Sequence, residues 1–335
     1  MRGGGAAGLL PGAGAFAAAP AFAQSAAMRA VLDYARAQKT TGFLVVRDRK
    51  VLAEQNWPAP ADAGAFVSYA YETTPDGALL EDVASQQKSF VALLAAVAAD
   101  KGLLDVEAPV SALIGPGWSK ATPEQERAIR VIHLLTMCSG LGERLDYRAP
   151  AGEVFFYNTP AYAILKPVLA AVSKQSLETL TRDWLTAPVG MAHTAWRPRP
   201  AAFAGVGNPT GLVTCPRDVA KMGQLVLDGG RAADGRRVVS EAGLRAMFAR
   251  SPANPAYGRL WWLNGAPHRI SPQGARIEGP LIAAAPADTV AALGALDRKL
   301  YVSPSRKLIV VRMGQAAPDR DFDQQLWRRL VPALV

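Results

Sequence analysis

The sequence predicts an α+β fold: one antiparallel sheet built from both termini, flanked by terminal helices, with a mainly helical domain inserted between the halves. Three observations predict it. A strand hairpin lies near each end, a helix lies outside each hairpin, and the apolar spacing between the hairpins is helical. Taken in order, residues 28–38 place Val31, Leu32 and Ala35 on one helical face. Gly42-Phe43-Leu44-Val45-Val46, the polar turn Arg47-Asp48-Arg49-Lys50 and Val51-Leu52-Ala53 then read as two strands and their connection. The matching hairpin is Leu300-Tyr301-Val302, the turn Pro304-Ser305-Arg306-Lys307, and Leu308-Ile309-Val310-Val311. Residues 321–330 close the chain as a helix with Phe322, Leu326, Trp327 and Leu330 as its apolar stripe.

Between the hairpins, helical spacing covers 90–100, 129–137, 161–172, 177–184, 217–227 and 240–248. Gly115-Pro116-Gly117, Pro188-Val189-Gly190 and Asp228-Gly229-Gly230 punctuate it. Asp218 and Ser240 are expected at helix N-termini. The domain reading is therefore a sheet domain from 24–84 and 255–335, and a mainly helical domain from 85–254. Residues 1–23 are almost all Gly, Ala, Leu, Phe and Pro after the single cation Arg2, and they end Ala21-Phe22-Ala23. That pattern reads as a cleavable secretory signal and predicts an exported, periplasmic protein; the competing reading takes Met28 as the first residue. Gly3, Gly5 and Gly8 spell a G-x-G-x-x-G with no strand before it and no helix after it.

A net charge of +9 is spread along the 335 residues, with no basic run interleaved with aromatics, so nucleic-acid binding is not expected. No later segment has the unbroken apolar length to span a bilayer, so no stable membrane insertion is expected. The two cysteines, Cys138 and Cys215, form no C-x-x-C, and the sequence leaves open whether they pair. Oligomeric state is likewise open.

The chemistry begins at Ser85-Gln86-Gln87-Lys88. Residues three apart share a helix face, so the amine lies within reach of the hydroxyl. A serine hydroxyl needs a base beside it, and a lysine serves only when burial or nearby positive charge lowers its pKa. The following helix N-terminus would aim backbone N–H groups at a developing oxyanion. By itself the tetrapeptide equally describes a surface Ser and Lys opening a core helix. A second element is Phe155-Phe156-Tyr157-Asn158-Thr159-Pro160, where a loop tyrosine ahead of a helix offers a phenol for proton transfer. The three histidines, His133, His193 and His268, stand in unrelated contexts. There is no H-E-x-x-H, no Gly-x-Ser-x-Gly elbow and no zinc-ligand spacing. Neither a metal nor another cofactor is expected, and His133 reads as a structural residue.

Together these segments resemble the serine β-lactamase and penicillin-binding-protein superfamily, in its class C-like, esterase and 6-aminohexanoate-dimer-hydrolase-like branch. The likeness runs from about Thr41 to Leu330. It includes Ala84 to Phe90, Lys101 to Val110, His133 to Leu141 ending in Ser-Gly-Leu, Ala151-Gly152 leading to Tyr157, Gly211 to Asp218, and Tyr257 to Gly265. The resemblance implies a β-lactamase/transpeptidase-like fold, Ser85 as acyl-enzyme nucleophile, Lys88 as its proton acceptor, and Tyr157 as partner in proton transfer to the leaving group. The chain departs from the family pattern twice. Tyr-x-Asn becomes Tyr157-Asn158-Thr159, which leaves open whether Asn158 or Thr159 meets the lysine. The family's Lys-Thr-Gly or Gly-x-His-Gly turn falls at Gly294-Ala295-Leu296-Asp297, which has no cation. The Ala295 N–H is expected to complete an oxyanion hole with that of Ser85, and Trp261 or Trp262 to line the cleft. The resulting expectation is a serine hydrolase acting on a small-molecule ester, amide or peptide-like substrate. The alternatives are a penicillin-recognising D-Ala peptidase, which the missing cation disfavours, and a binding module that has lost turnover.

Overall fold

The computed structural model describes Phe16, residues 25–60 and residues 62–334. The signal-like stretch with its Gly3, Gly5 and Gly8 therefore lies, Phe16 apart, outside the described residues. Within them the chain forms twelve strands: β1 (Thr40–Arg47), β2 (Lys50–Asn56), β3 (Ala70–Thr73), β4 (Leu79–Asp82), β5 (Ala195–Pro198), β6 (Thr210–Thr214), β7 (Trp262–Leu263), β8 (His268–Ile270), β9 (Arg276–Glu278), β10 (Val290–Gly294), β11 (Arg298–Ser303) and β12 (Leu308–Gly314). Six make an antiparallel sheet in the order β2-β1-β12-β11-β10-β7. The two ends of the chain meet where β1 pairs with β12, from Thr40 opposite Gly314 to Arg47 opposite Leu308. The β1–β2 turn works because Asp48 and Arg49 both take positive φ, 48° and 62°, as a two-residue hairpin requires.

Both faces of this sheet are covered, so β11 and β12 are buried along their whole length. On one face the helices Ala26–Ala37 and Phe322–Ala333 pack together, with Trp327 edge-on to Tyr301 of β11. On the other lies the helix Pro216–Leu227. Gly223 sits so close to the sheet that a Cβ there would meet Ile309 at 2.9 Å and Leu300 at 3.1 Å. The helix Gln87–Asp100 meets the sheet at β10, and every residue in it from Gln87 to Ala98 is buried. A helix surrounded on all sides is the centre of the molecule, and that is why a lysine in its first turn ends up out of water.

The second sheet, β3-β4-β6-β5, pairs β3 and β4 from before residue 85 with β5 and β6 from inside the segment expected to be mainly helical. One continuous apolar cluster runs from Met28 to Leu334 across both parts. Local periodicity missed β5 because it is four residues long and ends in Pro198, and β6 because it is only five and its pairing is entirely long-range. Several helices are also shorter or divided. The 129–137 stretch is helical only over Val131–Leu135, and 161–172 splits into Thr159–Ala163 and Leu165–Ser173. Ser240 caps its helix through the Gly243 N–H at 2.8 Å. Asp218 does not cap; Cys215 holds that position, and the Asp218 carboxylate accepts from the His193 N–H at 2.7 Å and the Thr194 hydroxyl at 3.0 Å. Among the described residues no helix is long and apolar enough to cross a membrane.

Candidate active site

The site forms where the turn Ala84–Gln86, leading into the helix Gln87–Asp100, meets the end of β10. Gly294 makes that approach feasible: a Cβ on it would stand 2.3 Å from the Val83 carbonyl oxygen and 3.3 Å from the Gln86 nitrogen. Ala295 follows immediately, in a turn whose next two residues, Leu296 and Asp297, take φ of 59° and 58°. The buried guanidinium of Arg312 fixes this turn, donating to the carbonyls of Leu296 at 2.7 Å, Asp297 at 3.1 Å and Gln38 at 2.6 Å. Ser85 and Ala295 line the same small cavity of about 140 Å³, together with Lys88, Thr159, Tyr69 and Phe203. Their backbone N–H groups are the pair the sequence nominated for an oxyanion hole.

Lys88 Nζ donates to Ser85 Oγ at 2.9 Å and to Thr159 Oγ1 at 3.1 Å. It also lies 4.8 Å from the centre of the Tyr157 ring and 4.9 Å from that of Tyr162. Burial is the main force lowering its pKa, with the Arg199 charge second, and together they bring it down to about 7. An amine in that range exists in both forms near neutrality. The Tyr157 pKa is pushed up to about 12 by burial, partly offset by the Ser85 side chain nearby, so the phenol stays protonated. The Tyr157 ring is seated by stacking on Trp262, centroids 6.0 Å apart, and by the Tyr257 edge.

The shifted amide resolves by position. Thr159 meets the lysine. Asn158 turns away: it caps the helix Thr159–Ala163 by accepting from the Ala161 N–H at 3.0 Å, and donates to the carbonyls of Leu141 at 2.7 Å and Gly142 at 2.8 Å. It holds the tyrosine loop to its neighbour. Trp261 is not in the cavity; it is fully buried with its ring edge-on to Phe248 at 5.4 Å. Trp262 contributes instead, through Tyr157. Asp297 also points away, accepting from the Ala317 N–H at 3.0 Å and pairing with Lys299 at 3.2 Å. His133 is structural: its Nδ1 accepts from the Arg130 N–H at 3.1 Å. Cys138 and Cys215 are both free and buried.

Sequence reading passed over three buried charged groups beside the cavity. Asp82, three residues before Ser85, takes the fork of Arg199, Nε to Oδ2 at 2.7 Å and Nη2 to Oδ1 at 3.0 Å. Lys166 donates to Asn208 Oδ1 at 2.6 Å and Thr210 O at 2.8 Å, and burial, with Arg199 second, lowers its pKa to about 6. The Arg197-Pro198-Arg199-Pro200 context of Arg199 looks like an exposed basic loop, and Lys166 looks like a break in an apolar helix, so neither gave a local signal.

The chain matches the family model described as Beta-lactamase over residues 27–334. No curated protein matches it. Among solved structures, a Bacteroides dorei DSM 17855 protein described as a candidate beta-lactamase superposes with a TM-score of 0.70 at 15% identity, over 92% of this chain and 98% of that one. A beta-lactamase/D-alanine carboxypeptidase from Yersinia pestis gives 0.66 at 16%, over 92% and 97%. A Bacillus anthracis protein described as a candidate 6-aminohexanoate-dimer hydrolase gives 0.63 at 17%, over 92% and 81%. At such identities the superpositions speak to the fold, and the fold is that of the β-lactamase and penicillin-binding-protein superfamily. With a family model spanning nearly all the described residues, a sheet closed by both chain ends and a Ser-x-x-Lys turn at its edge, the chain belongs to the beta-lactamase family.

Proposed function

We propose that this protein is a serine hydrolase that forms an acyl-enzyme at Ser85 on a small, uncharged ester or amide. The observation that carries the reading is the 2.9 Å contact between Ser85 Oγ and a buried lysine whose pKa is close to neutral. The neutral Lys88 amine takes the Ser85 proton as Oγ attacks the substrate carbonyl, forming the C–O bond. The carbonyl π electrons move to oxygen, where the Ser85 and Ala295 N–H groups receive the negative charge. Collapse breaks the bond to the leaving group, which collects a proton from Tyr157; the phenol is resupplied by Lys88 through the Ser85 oxygen region. Water then attacks the acyl carbon as its proton passes to the neutral Lys88 amine, and collapse breaks the bond to Ser85 Oγ, which takes that proton back from the amine.

The cavity limits the substrate. About 140 Å³ walled by Tyr69, Phe203 and Val206 is far below the roughly 300–1,000 Å³ of a drug-sized pocket, so a short acyl group fits and a bicyclic one does not without movement. The turn 294–297 offers no cation to a substrate carboxylate, and the guanidinium of Arg199 is already engaged by Asp82. A neutral short-chain ester is therefore the favoured class over a carboxylate-bearing peptide. Hydrolysis of p-nitrophenyl acetate and butyrate by the wild type and by Ser85→Ala tests this. The expectation is turnover of both esters by the wild type and background rates for the variant. Equal rates would remove Ser85 from the chemistry, and slow release of a covalently bound fluorescent penicillin without ester turnover would favour the peptidase-like alternative.

A further inference from the structure

The residue before the proposed nucleophile is strained. Ala84 has φ of +49°, in the left-handed region that L residues with a Cβ enter at a cost of about 1 kcal/mol or more. What holds it there is the Asp82 carboxylate, whose Oδ1 accepts the Ala84 N–H at 2.8 Å. The same carboxylate receives the two-pronged contact of Arg199, and the side chains of the pair are 0% and 5% exposed. The fold makes room for this pair at a particular place: a Cβ on Gly211 of β6 would lie 2.0 Å from Asp82 Oδ2 and 3.0 Å from Arg199 Nε. Arg199 in turn reaches the wall of the cavity that holds Ser85 and Lys88. A buried ion pair is weak evidence of stabilisation, because well-packed apolar residues often serve as well. Its place between the strained turn and the amine is what gives it meaning.

We propose that Asp82 and Arg199 are positioning residues for acylation. The carboxylate holds the left-handed turn that aims the Ser85 hydroxyl, and the guanidinium supplies positive charge beside the Lys88 amine. The proposal rests on the serine-hydrolase reading and names the groups that set it up. The groups around Lys88 support this division of labour. On its own turn and the tyrosine loop it meets the hydroxyls of Ser85 and Thr159 and the rings of Tyr157 and Tyr162. Lys166 Nζ lies 5.8 Å from the centre of the Tyr162 ring. Of the charged groups, Arg199 is the one that acts most on Lys88, favouring its neutral form. Asp82 sets the opposite charge against that guanidinium, so removing one partner or the other is expected to push the amine in opposite directions.

The test measures the rate of Ser85 modification by a fluorophosphonate probe against pH in the full-length protein. Arg199→Gln removes the cation and leaves the carboxylate, so the acid limb is expected to move up by about one pH unit. Asp82→Asn removes the carboxylate and keeps an acceptor for the Ala84 N–H, so the limb is expected to move down by a similar amount. The double variant is expected to return to the wild-type limb. Arg199→Lys keeps the charge and loses the fork; its limb is expected to stay in place while the plateau rate falls about tenfold. Should one single charge variant fail to fold, the other carries the charge test, and Arg199→Lys carries the test of the turn. A single charge variant whose limb coincides with the wild-type limb, or limbs that move the same way in Asp82→Asn and Arg199→Gln, overturn the charge role. An unchanged plateau in Arg199→Lys overturns the turn-holding role. In either case a wild type labelled at Ser85 leaves the hydrolase reading intact, whereas a wild type not labelled there takes both down.

Discussion

Replacing Lys88 by Met should make the protein more stable while abolishing its chemistry. The unfolded chain binds a proton at Lys88 below pH 10.5, but the folded chain holds it only below about 7. Between those values the unfolded state carries the extra proton, so the lysine's contribution to stability rises with pH across that window and is least favourable below it. At about 1.4 kcal/mol per pH unit, keeping this lysine in the interior costs about 5 kcal/mol near or below pH 7. Methionine has similar length, no charge to desolvate, and a soft side chain that adapts to the space. It forfeits the hydrogen bonds to Ser85 and Thr159, each worth about 1 kcal/mol. The net expectation is a gain of about 3 kcal/mol at pH 7, or about 5 °C in Tm for a chain of this size. Urea or thermal denaturation of both proteins at pH 7 and pH 10 is the assay. The gain should shrink toward zero, or reverse, at the higher pH. A variant less stable than wild type at pH 7, or a gain that ignores pH, would refute the claim that the amine is buried against its protonation.

Three further outcomes follow from the same geometry. Ester hydrolysis should rise about tenfold per pH unit up to a midpoint near 7, because the base works only when neutral; a flat profile between pH 5 and 8 would remove Lys88 as the base. Tyr157→Phe should lower amide hydrolysis by about 100-fold but p-nitrophenyl ester hydrolysis much less, since p-nitrophenolate leaves without a proton; equal losses on both substrates would argue against leaving-group protonation by the phenol. Gly294→Ala places a Cβ 2.3 Å from the Val83 carbonyl oxygen, so it should destabilise by about 2 kcal/mol or more and slow Ser85 acylation, which denaturant titration and probe labelling would detect.

Four strands of the large sheet, β1, β2, β11 and β12, were legible because their apolar runs flank polar turns, and the terminal helices because their stripes keep one period; β7 and β10 gave no such signal. The smaller sheet was not legible: β5 and β6 are short and carry Pro198 and Gly211, and β6 joins the sheet through β4, more than a hundred residues earlier. At the site, Ser85, Lys88 and Tyr157 were visible because three-residue spacing and a recurring family pattern are local properties. The contest between Asn158 and Thr159 was not local. It is settled by which side chain the start of the helix Thr159–Ala163 turns toward the lysine, and the asparagine is claimed by the capping position it favours. Trp262 opens β7 and Trp261 lies just before it, so which of the two neighbours meets Tyr157 depends on where that strand begins and pairs, which local spacing does not fix. Asp82 and Arg199 were illegible for the same reason: an ion pair between residues 117 positions apart has no signature in either neighbourhood.

Intact-mass analysis after a fluorophosphonate, followed by peptide mapping, asks directly whether the Ser85 hydroxyl is an activated nucleophile. One adduct is expected, on the peptide containing Ser85, absent from Ser85→Ala and formed at least about 100-fold more slowly in Lys88→Met. Folded protein that stays unmodified, or an adduct that maps to any other residue, would contradict it.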